Sequence, residues 1–182
     1  GELGLVGPLG RILERRGKRI GYVHLWSFAG DRYSELLKSE LSSGSLHAAD
    51  ALLLDLRDGW GGANPEDLNL FNDRVPTMAH VLRDGTRREI DTQWRKPVAL
   101  VINKGSRSGK EIFAYGFQKH ALGPVVGETS AGAVVGGRPF LLQQGMLLYL
   151  AVLDVLVDGE HLEGRGVQPD LQVPFDLRYA NG

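Results

Sequence analysis

Two short apolar runs, each followed by a glycine-rich loop and a helical pattern, constrain the fold more than any other feature. Residues 51–56 read Ala-Leu-Leu-Leu-Asp-Leu, and residues 98–102 read Val-Ala-Leu-Val-Ile. Short runs without polar alternation are typical of strands that are buried on both faces of a sheet. Strands that alternate with helices predict parallel βα units. We therefore predict an α/β fold with a mixed, mainly parallel β-sheet flanked by helices.

The helices are predicted from apolar spacing and from their start signals. A helix is expected over residues 32–42, with Asp31 as its N-cap. Asn64-Pro65 is expected to open a second helix, and the segment 106–111 a third one that ends near residue 120. Strands are predicted over 19–26, 51–56, 78–82, 87–90, 98–102, 125–126, 134–142, 146–152, 155–162 and 171–173.

The domain organisation is predicted to be simple. The first 17 residues are glycine-rich and then basic, and we interpret residues 1–18 as a tether. Residues 19–182 are predicted to form one folded domain, which is a length sufficient to bury a core. No internal repeat divides this segment.

Composition excludes several classes of function. The net charge of −1 gives no electrostatic argument for nucleic acid as a partner. No apolar run approaches the roughly 18 residues that a membrane-spanning helix needs. The absence of cysteine excludes disulfides and thiol catalysis, and the five scattered histidines show no spacing typical of a metal site. No cofactor is predicted, and periplasmic, secreted and cytoplasmic locations all stay open.

A serine turn follows the second apolar run. The segment Ser106-Arg-Ser-Gly-Lys-Glu111 closes a predicted strand and opens a helix, where backbone N–H groups are free. An exposed hydroxyl at such a turn is typical of a nucleophilic serine. Ser108 and Ser106 are both candidates, and Gly109 offers an unobstructed N–H beside Ser108.

Two further loops are expected to meet this turn. Gly61 and Gly62 follow the first apolar run, and their N–H groups are predicted to hold a developing oxyanion together with that of Gly109. Both loops lie at carboxyl ends of parallel strands, which share one crevice. Trp60 is predicted to flank the substrate. Three residues of the loop 127–133 are predicted to contact substrate, namely Ser130, Ala131 and Gly132.

These motifs, in this order, resemble peptidase family S41, which contains the C-terminal processing proteases and the tricorn core protease. The resemblance implies a ClpP/crotonase-like β/α core and a serine endopeptidase that acts near the C-termini of peptides or proteins, often with a PDZ domain. It places the catalytic serine on Ser108 and the oxyanion donors on Gly61 or Gly62 and Gly109. The matching segments are 20–28, 54–62, 106–111, 126–132 and 162–170.

The general base departs from the family pattern. The lysine of the processing proteases falls on Ala133, and the glutamine that orients this lysine falls on Gly137. The tricorn branch instead uses a histidine and a glutamate, and Glu163 matches the neighbourhood of that glutamate. Since the branch's histidine precedes its PDZ domain, we expect an additional N-terminal domain or a partner to supply the base.

Two alternatives to an external base are kept. Within the chain, His24 is one candidate, because histidine is a common general base in enzymes, although its place in the strand pattern favours a packed residue. Lys104 or Lys110 would need a pKa lowered by burial, and Lys110 is expected to point away along its helix. The other alternative is a catalytically impaired domain that binds a peptide or a lipophilic ligand. A homo-oligomer is also left open.

Other polar and aromatic residues are given structural interpretations. Asp55 and Arg57 are predicted to form a buried ion pair at the end of a strand. Tyr22, Trp26 and Phe28 are interpreted as a core stripe. The substrate is expected to lie as an added strand along a free sheet edge.

Overall fold

The structure is a computed structural model that describes residues 10–176. The strands are β1 (Gly10–Arg15), β2 (Lys18–His24), β3 (Ala51–Asp55), β4 (Met78–Val81), β5 (Arg87–Ile90), β6 (Val98–Ile102), β7 (Val125–Gly127), β8 (Gly136–Leu141), β9 (Leu147–Leu153), β10 (Leu156–Val157), β11 (Glu160–His161) and β12 (Leu171–Gln172). The centre of the structure is a six-stranded sheet in the order β1-β2-β3-β6-β7-β12, in which only the β1–β2 pair is antiparallel.

Two α-helices and three short 3₁₀ helices complete the described chain. The predicted α/β class with a mainly parallel sheet is confirmed. None of the helices within residues 10–176 is both long and apolar enough to cross a bilayer. The α-helices are α1 (Asp31–Ser42) and α2 (Gly109–Lys119), and the 3₁₀ helices are Ser45–Ala48, Pro65–Phe71 and Gln143–Gly145.

Part of the segment that was predicted to be a tether is a β-strand in the structure. Residues 10–15 form β1, which pairs with β2 from Gly10 opposite Val23 to Arg15 opposite Lys18. The structure describes no residue before Gly10, so the rest of the predicted tether lies outside the described residues. The helix predicted after Asn64 is a 3₁₀ helix, capped by the Asn64 side chain, which accepts a hydrogen bond from the Glu66 N–H at 3.0 Å.

One face of the sheet carries the core. Val23, Leu54, Leu100 and Val125 are register partners on four neighbouring strands, and all four are buried. Their side chains therefore form a continuous apolar row on the same face. Both α-helices add side chains to this cluster, namely Leu37, Leu41, Phe113, Ala114 and Phe117.

The opposite face is only partly covered, so the prediction of strands buried on both faces is wrong. Leu53, Ala99 and Val101 are half-buried because both helices pack on the other side. At the carboxyl end of this open face lies a crevice of 540 Å³. It is lined by Arg57, Val101, Ile102, Asn103, Val126, Gly127, Glu128, Val173, Pro174, Phe175 and Asp176.

Strands β8 and β9 form an antiparallel ribbon beside the sheet. Among the described residues, each pairs only with the other. All seven residues of β9 are apolar or aromatic, and all are exposed. The ribbon therefore presents apolar side chains on both of its faces.

Candidate active site

Ser108 occupies a strained turn between β6 and α2. Its backbone has φ of 57° and ψ of −131°, which a residue with a Cβ rarely adopts. Its N–H donates to the Ala133 carbonyl at 2.9 Å and to Glu111 Oε2 at 3.1 Å. These bonds and the start of α2 hold Ser108 in a conformation typical of nucleophile turns.

Ser106 is a structural residue. Its side chain is buried, and its hydroxyl donates to the Leu56 carbonyl at 2.9 Å while accepting from the Asn103 N–H at 3.0 Å. These two bonds tie the serine turn to the end of β3. The geometry favours Ser108 over Ser106 as the residue that faces a ligand.

The two glycine loops approach each other closely at Ser108. A Cβ placed on Gly61 would lie 2.5 Å from the Ser108 Cβ, and one on Gly109 would lie 2.5 Å from the Ala63 backbone nitrogen. Contacts this short are possible only for glycine, since it has no Cβ. The sequence prediction that these loops meet is therefore supported by their backbone packing.

The predicted oxyanion donors stay unpaired. Within residues 10–176, the N–H groups of Gly61, Gly62 and Gly109 donate to no backbone or side-chain acceptor. The adjacent Trp60 N–H, by contrast, donates to the Trp26 carbonyl at 2.8 Å. Unpaired N–H groups beside a presented hydroxyl are the arrangement that an oxyanion hole requires.

Glu111 joins the loop of residues 130–133 to the serine turn. This link was not predicted from the sequence. The buried Glu111 carboxylate accepts from the Ser130 hydroxyl and the Gly132 N–H, each at 2.6 Å, and from the Ala133 N–H at 2.8 Å. The same carboxylate accepts from Ser108. The position of Glu111 three residues after Ser108, as in a capping box, was the available signal.

The loop predicted to contact substrate directs its N–H groups inward. The Ser130 N–H donates to the Val167 carbonyl at 3.1 Å, and the Ala131 N–H donates to the Ser106 carbonyl at 2.9 Å. Since the Gly132 N–H is bonded to Glu111, the backbone donors of these three residues are all occupied. Contact between this loop and substrate stays a prediction.

Glu163 lies beside the position of the family lysine. Its Oε2 accepts from the N–H groups of Val134 at 2.7 Å and Val135 at 3.1 Å, directly after Ala133. Ala133 itself is exposed and carries only a methyl group. The resemblance placed Glu163 in this neighbourhood, but its side chain anchors backbone here.

Lys110 is buried, and the expectation that it points away along the helix is wrong. Its Nζ donates to the carbonyls of Leu25 at 2.6 Å, Asp58 at 2.7 Å and Trp26 at 3.2 Å. Burial lowers the pKa of this ammonium to about 8. Lys110 therefore fastens the glycine loop of residues 59–62 to the end of β2, while Lys104 is exposed.

His24 is exposed, contrary to its interpretation as a packed residue. Its Nε2 lies 3.0 Å from the Arg57 carbonyl oxygen, and its ring meets the Trp26 ring edge-on at 6.1 Å. In the part of the chain that the structure describes, no hydrogen bond joins His24 to Ser108. A role for His24 as the base therefore stays a prediction.

The ion pair predicted at the end of β3 is present. The buried Asp55 carboxylate accepts from Arg57 Nη2 at 2.6 Å and from the Tyr22 hydroxyl at 2.8 Å. Burial alone would raise the pKa of Asp55, but the hydrogen bonds from Arg57 and Tyr22 outweigh it and hold the pKa below its usual value. This network holds the start of the loop that follows β3, and among the described residues no hydrogen bond joins it to Ser108.

Trp26 is not a core residue, although Phe28 is buried as predicted. Its side chain is 57% exposed because Tyr22, His24 and Trp26 alternate with the buried Val23 and Leu25, so they point to the open face of the sheet and not to the core. Trp60 is 71% exposed, and both rings line a cleft of 390 Å³. The other lining residues are Asp58, Gly59 and Arg107.

No group of three or more His, Asp or Glu side chains within residues 10–176 is arranged to hold a metal ion.

Comparisons with known proteins agree with this geometry. The family model for peptidase family S41 matches residues 19–173. Carboxyl-terminal-processing protease of Picosynechococcus sp. is 27% identical over 93% of this chain and 43% of its own length. Carboxy-terminal processing protease CtpA of Bacillus subtilis is 26% identical over 87% of this chain and 36% of its own length. The chain thus spans less than half the length of these two curated relatives.

Solved structures show the same fold. The tricorn protease matches with a TM-score of 0.68 and 25% identity, over 87% of this chain and 16% of that protein. The photosystem II D1 C-terminal processing protease matches with a TM-score of 0.59 and 22% identity, over 86% of this chain and 42% of that protein. Because the family model matches most of this chain, over residues 19–173, the chain belongs to peptidase family S41.

Proposed function

We propose that this chain is the core of a serine endopeptidase with Ser108 as its nucleophile. The observation that carries the proposal is the group of three unpaired N–H groups, from Gly61, Gly62 and Gly109, around a strained serine. Family membership supports the same chemistry. An arrangement that served only to cap α2 would not need a second glycine loop packed against the serine.

The proposed reaction follows from this geometry. Ser108 Oγ attacks the peptide carbonyl carbon, its proton passes to a base, and the carbonyl oxygen becomes an oxyanion held by the glycine N–H groups. Each such donor is worth about 3–4 kcal/mol of transition-state stabilisation. The base then protonates the leaving amine, and water hydrolyses the acyl-enzyme to release the second product and restore the serine.

The base has three candidates. His24 lies beside the loop that carries the oxyanion donors, and Lys104 is exposed shortly before Ser108 in the chain. A group outside residues 10–176 is the third, and Glu163, whose carboxylate accepts from backbone beside Ala133, is proposed as a supporting residue. Lys110 is disfavoured, since its ammonium already donates to three carbonyls that hold the loop together.

The substrate is proposed to lie as an added strand on the free edge of β8. This strand begins three residues after Ala133, whose carbonyl accepts from Ser108, and it pairs only with β9 among the described residues. The names of the relatives point to cleavage near the C-terminus of a peptide or protein.

The test is labelling by a fluorophosphonate probe, which reacts with activated serines. The natural protein is expected to be labelled, and Ser108→Ala is expected to abolish labelling, whereas Ser39→Ala on the exposed surface of α1 leaves it unchanged. If the natural protein is not labelled, or if Ser108→Ala is still labelled, the nucleophile proposed here is wrong.

The second candidate function is a non-catalytic binder of a peptide or lipophilic ligand. It is favoured by Ala133 at the lysine position and by the partly apolar crevice of 540 Å³ on the open sheet face. This function predicts no labelling at Ser108 together with saturable binding of a fatty acid or an apolar peptide, measured by calorimetry.

A further inference from the structure

The side chain directly before the proposed nucleophile is a free cation. Arg107 is exposed, and its one hydrogen bond among the described residues runs from Nε to the Gly105 carbonyl at a long 3.4 Å. It forms no ion pair with any carboxylate in residues 10–176. A guanidinium stays charged at all working pH values and matches a carboxylate with two parallel hydrogen bonds.

Two indole rings stand beside this cation. Trp26 and Trp60 are exposed, and the hydrogen bond between their backbones, at 2.8 Å, fixes them relative to each other. Gly59, directly before Trp60, has no room for a Cβ, because that atom would meet the Trp26 carbonyl oxygen. Large exposed apolar side chains on a rigid backbone are typical of ligand contact.

The cleft adjoins the serine through the backbone. A Cβ on Gly61 would lie 2.8 Å from the Arg107 carbonyl oxygen and 2.5 Å from the Ser108 Cβ, so Gly61 packs directly against both residues. A residue of a bound peptide that neighbours the scissile bond is therefore within reach of the cleft. The volume of 390 Å³ is sufficient for one side chain or for a chain terminus.

The charges around the cleft favour an anionic ligand. The buried Lys110 ammonium bonds the carbonyls of Trp26 and Asp58 and adds a second positive charge next to Arg107. Asp58 also lines the cleft, but its Oδ1 accepts from the Asn103 side-chain amide at 3.1 Å. Asp55 is a second carboxylate near Lys110, but it is paired with Arg57, so the three cations Arg57, Lys110 and Arg107 outnumber the two carboxylates Asp55 and Asp58 by one.

We propose that the cleft of Trp26, Trp60 and Arg107 is a substrate subsite that binds a peptide carboxylate close to the scissile bond. The guanidinium of Arg107 pairs with the carboxylate, and the two indole rings contact the adjoining apolar part of the peptide. This inference rests on the proposed function, because it assigns the subsite to the substrate of Ser108. The carboxylate belongs either to an Asp or Glu side chain or to the C-terminus of the peptide.

The test measures binding to the natural protein carrying Ser108→Ala, so that no turnover is needed. Two of the three tryptophans line the cleft, and the third, Trp94, is buried, so intrinsic fluorescence reports on ligand binding there. The probes are three acetylated peptides of equal length: Ala-Leu-Glu-amide, Ala-Leu-Gln as the free acid, and Ala-Leu-Gln-amide.

At least one of the two charged probes is expected to bind about tenfold more tightly than the neutral probe. Tighter binding of the Glu-amide probe identifies a side-chain carboxylate as the ligand, and tighter binding of the free acid identifies the C-terminus. Adding Arg107→Gln is expected to remove the preference, and high salt is expected to weaken it. Arg88→Gln, which removes another exposed arginine, on β5, is the matched control and is expected to keep the preference.

The inference is overturned if all three probes bind equally, or if the Arg107→Gln protein keeps the preference for a charged probe. These results are separable from the labelling of Ser108. A carboxylate preference without probe labelling would refute the catalytic proposal and leave a carboxylate-binding cleft. Labelling without any preference would refute the subsite alone.

Discussion

At the scale of single residues, the site is built from backbone conformations and contacts that most amino acids cannot adopt. Ser108 has a positive φ of 57° although it carries a Cβ, and such conformations cost on the order of 1–3 kcal/mol. Strain of this kind persists only where surrounding bonds enforce it, and here the acceptors Ala133 and Glu111 do so. The strain has a measurable consequence.

We expect Ser108→Gly to raise the free energy of unfolding by about 1 kcal/mol, because glycine adopts positive φ without a steric penalty. Ser108→Ala keeps the Cβ and is expected to give no such gain. Both variants lose the hydroxyl, so their comparison isolates the backbone effect. Urea denaturation of the two variants measures it, and equal stability would show that the turn is not strained.

The contact between the two glycine loops gives a second prediction. Gly109→Ala places a Cβ 2.5 Å from the Ala63 nitrogen and 2.9 Å from the Gly62 carbonyl carbon, and these backbone atoms have little room to move. We expect a loss of about 1–3 kcal/mol in the free energy of unfolding and a loss of probe labelling at Ser108.

Gly116→Ala in the same helix is the matched control. Its Cβ would meet only the tip of the Leu68 side chain, which can change rotamer, and alanine favours the helix by about 1 kcal/mol. Thermal denaturation of the two variants shows whether the loss of stability comes from the clash at residue 109 or from any replacement of a glycine by alanine in α2. A Gly109→Ala protein that is as stable and as reactive as the parent would refute the close approach.

At the scale of elements, α2 is joined to the end of β2 and to the glycine loop by a buried ammonium. Lys110 has three carbonyl acceptors, and its pKa lies near 8 because burial penalises the charged form relative to the ordinary value of 10.5. Between these two pH values the unfolded chain binds more protons than the folded one. Stability linked to this group therefore rises as the pH increases from about 8 to 10.5.

Lys110→Met removes this titration and leaves three carbonyls without their donor. The variant is expected to be less stable than the parent at pH 7 and to lack the rise above pH 8. Guanidinium denaturation at pH 7, 8, 9 and 10 measures the difference, with the exposed Lys104→Met as control. Parallel pH profiles for the parent and Lys110→Met would contradict the shifted pKa.

The sequence predicted most elements because their signals are local. The apolar runs at 51–56 and 98–102 contain β3 and β6, as predicted. The hairpin of β4 and β5 around Asp84-Gly85 is also present as predicted. Local patterns could not reveal that both α-helices pack on one face of the sheet. For this reason the opposite face was wrongly expected to be buried.

The proximity of two loops could be predicted for a similar reason. The loops of Gly61 and Gly109 follow neighbouring parallel strands, whose carboxyl ends share a crevice, while the role of their N–H groups as oxyanion donors stays a prediction. The clamp of Glu111 on Ser130 and Gly132 depends on a contact across 19 and 21 residues of chain, which spacing does not encode. The burial of Lys110 also follows from packing between loops, which the sequence does not show. Its charge alone therefore suggested an exposed position.

At the scale of the whole molecule, the longest exposed apolar segment lies on the β8–β9 ribbon. Strand β9 is seven residues long, contains no charge and no proline, and is exposed on both faces. Its register with β8 leaves the outer edge of β9 without a strand partner among the described residues. Uncharged, apolar edge strands of this kind readily pair with other chains.

We therefore expect a protein consisting of these 182 residues to self-associate through β9 at micromolar concentration. Leu147 is 71% exposed, so Leu147→Lys adds an edge charge without removing core contacts and is expected to shift the protein towards monomer. Val81→Lys, on the equally exposed hairpin of β4 and β5, controls for net charge. Sedimentation velocity over a concentration series measures the change. Unaltered association in Leu147→Lys, or an equal loss in Val81→Lys, would show that β9 is not the contact.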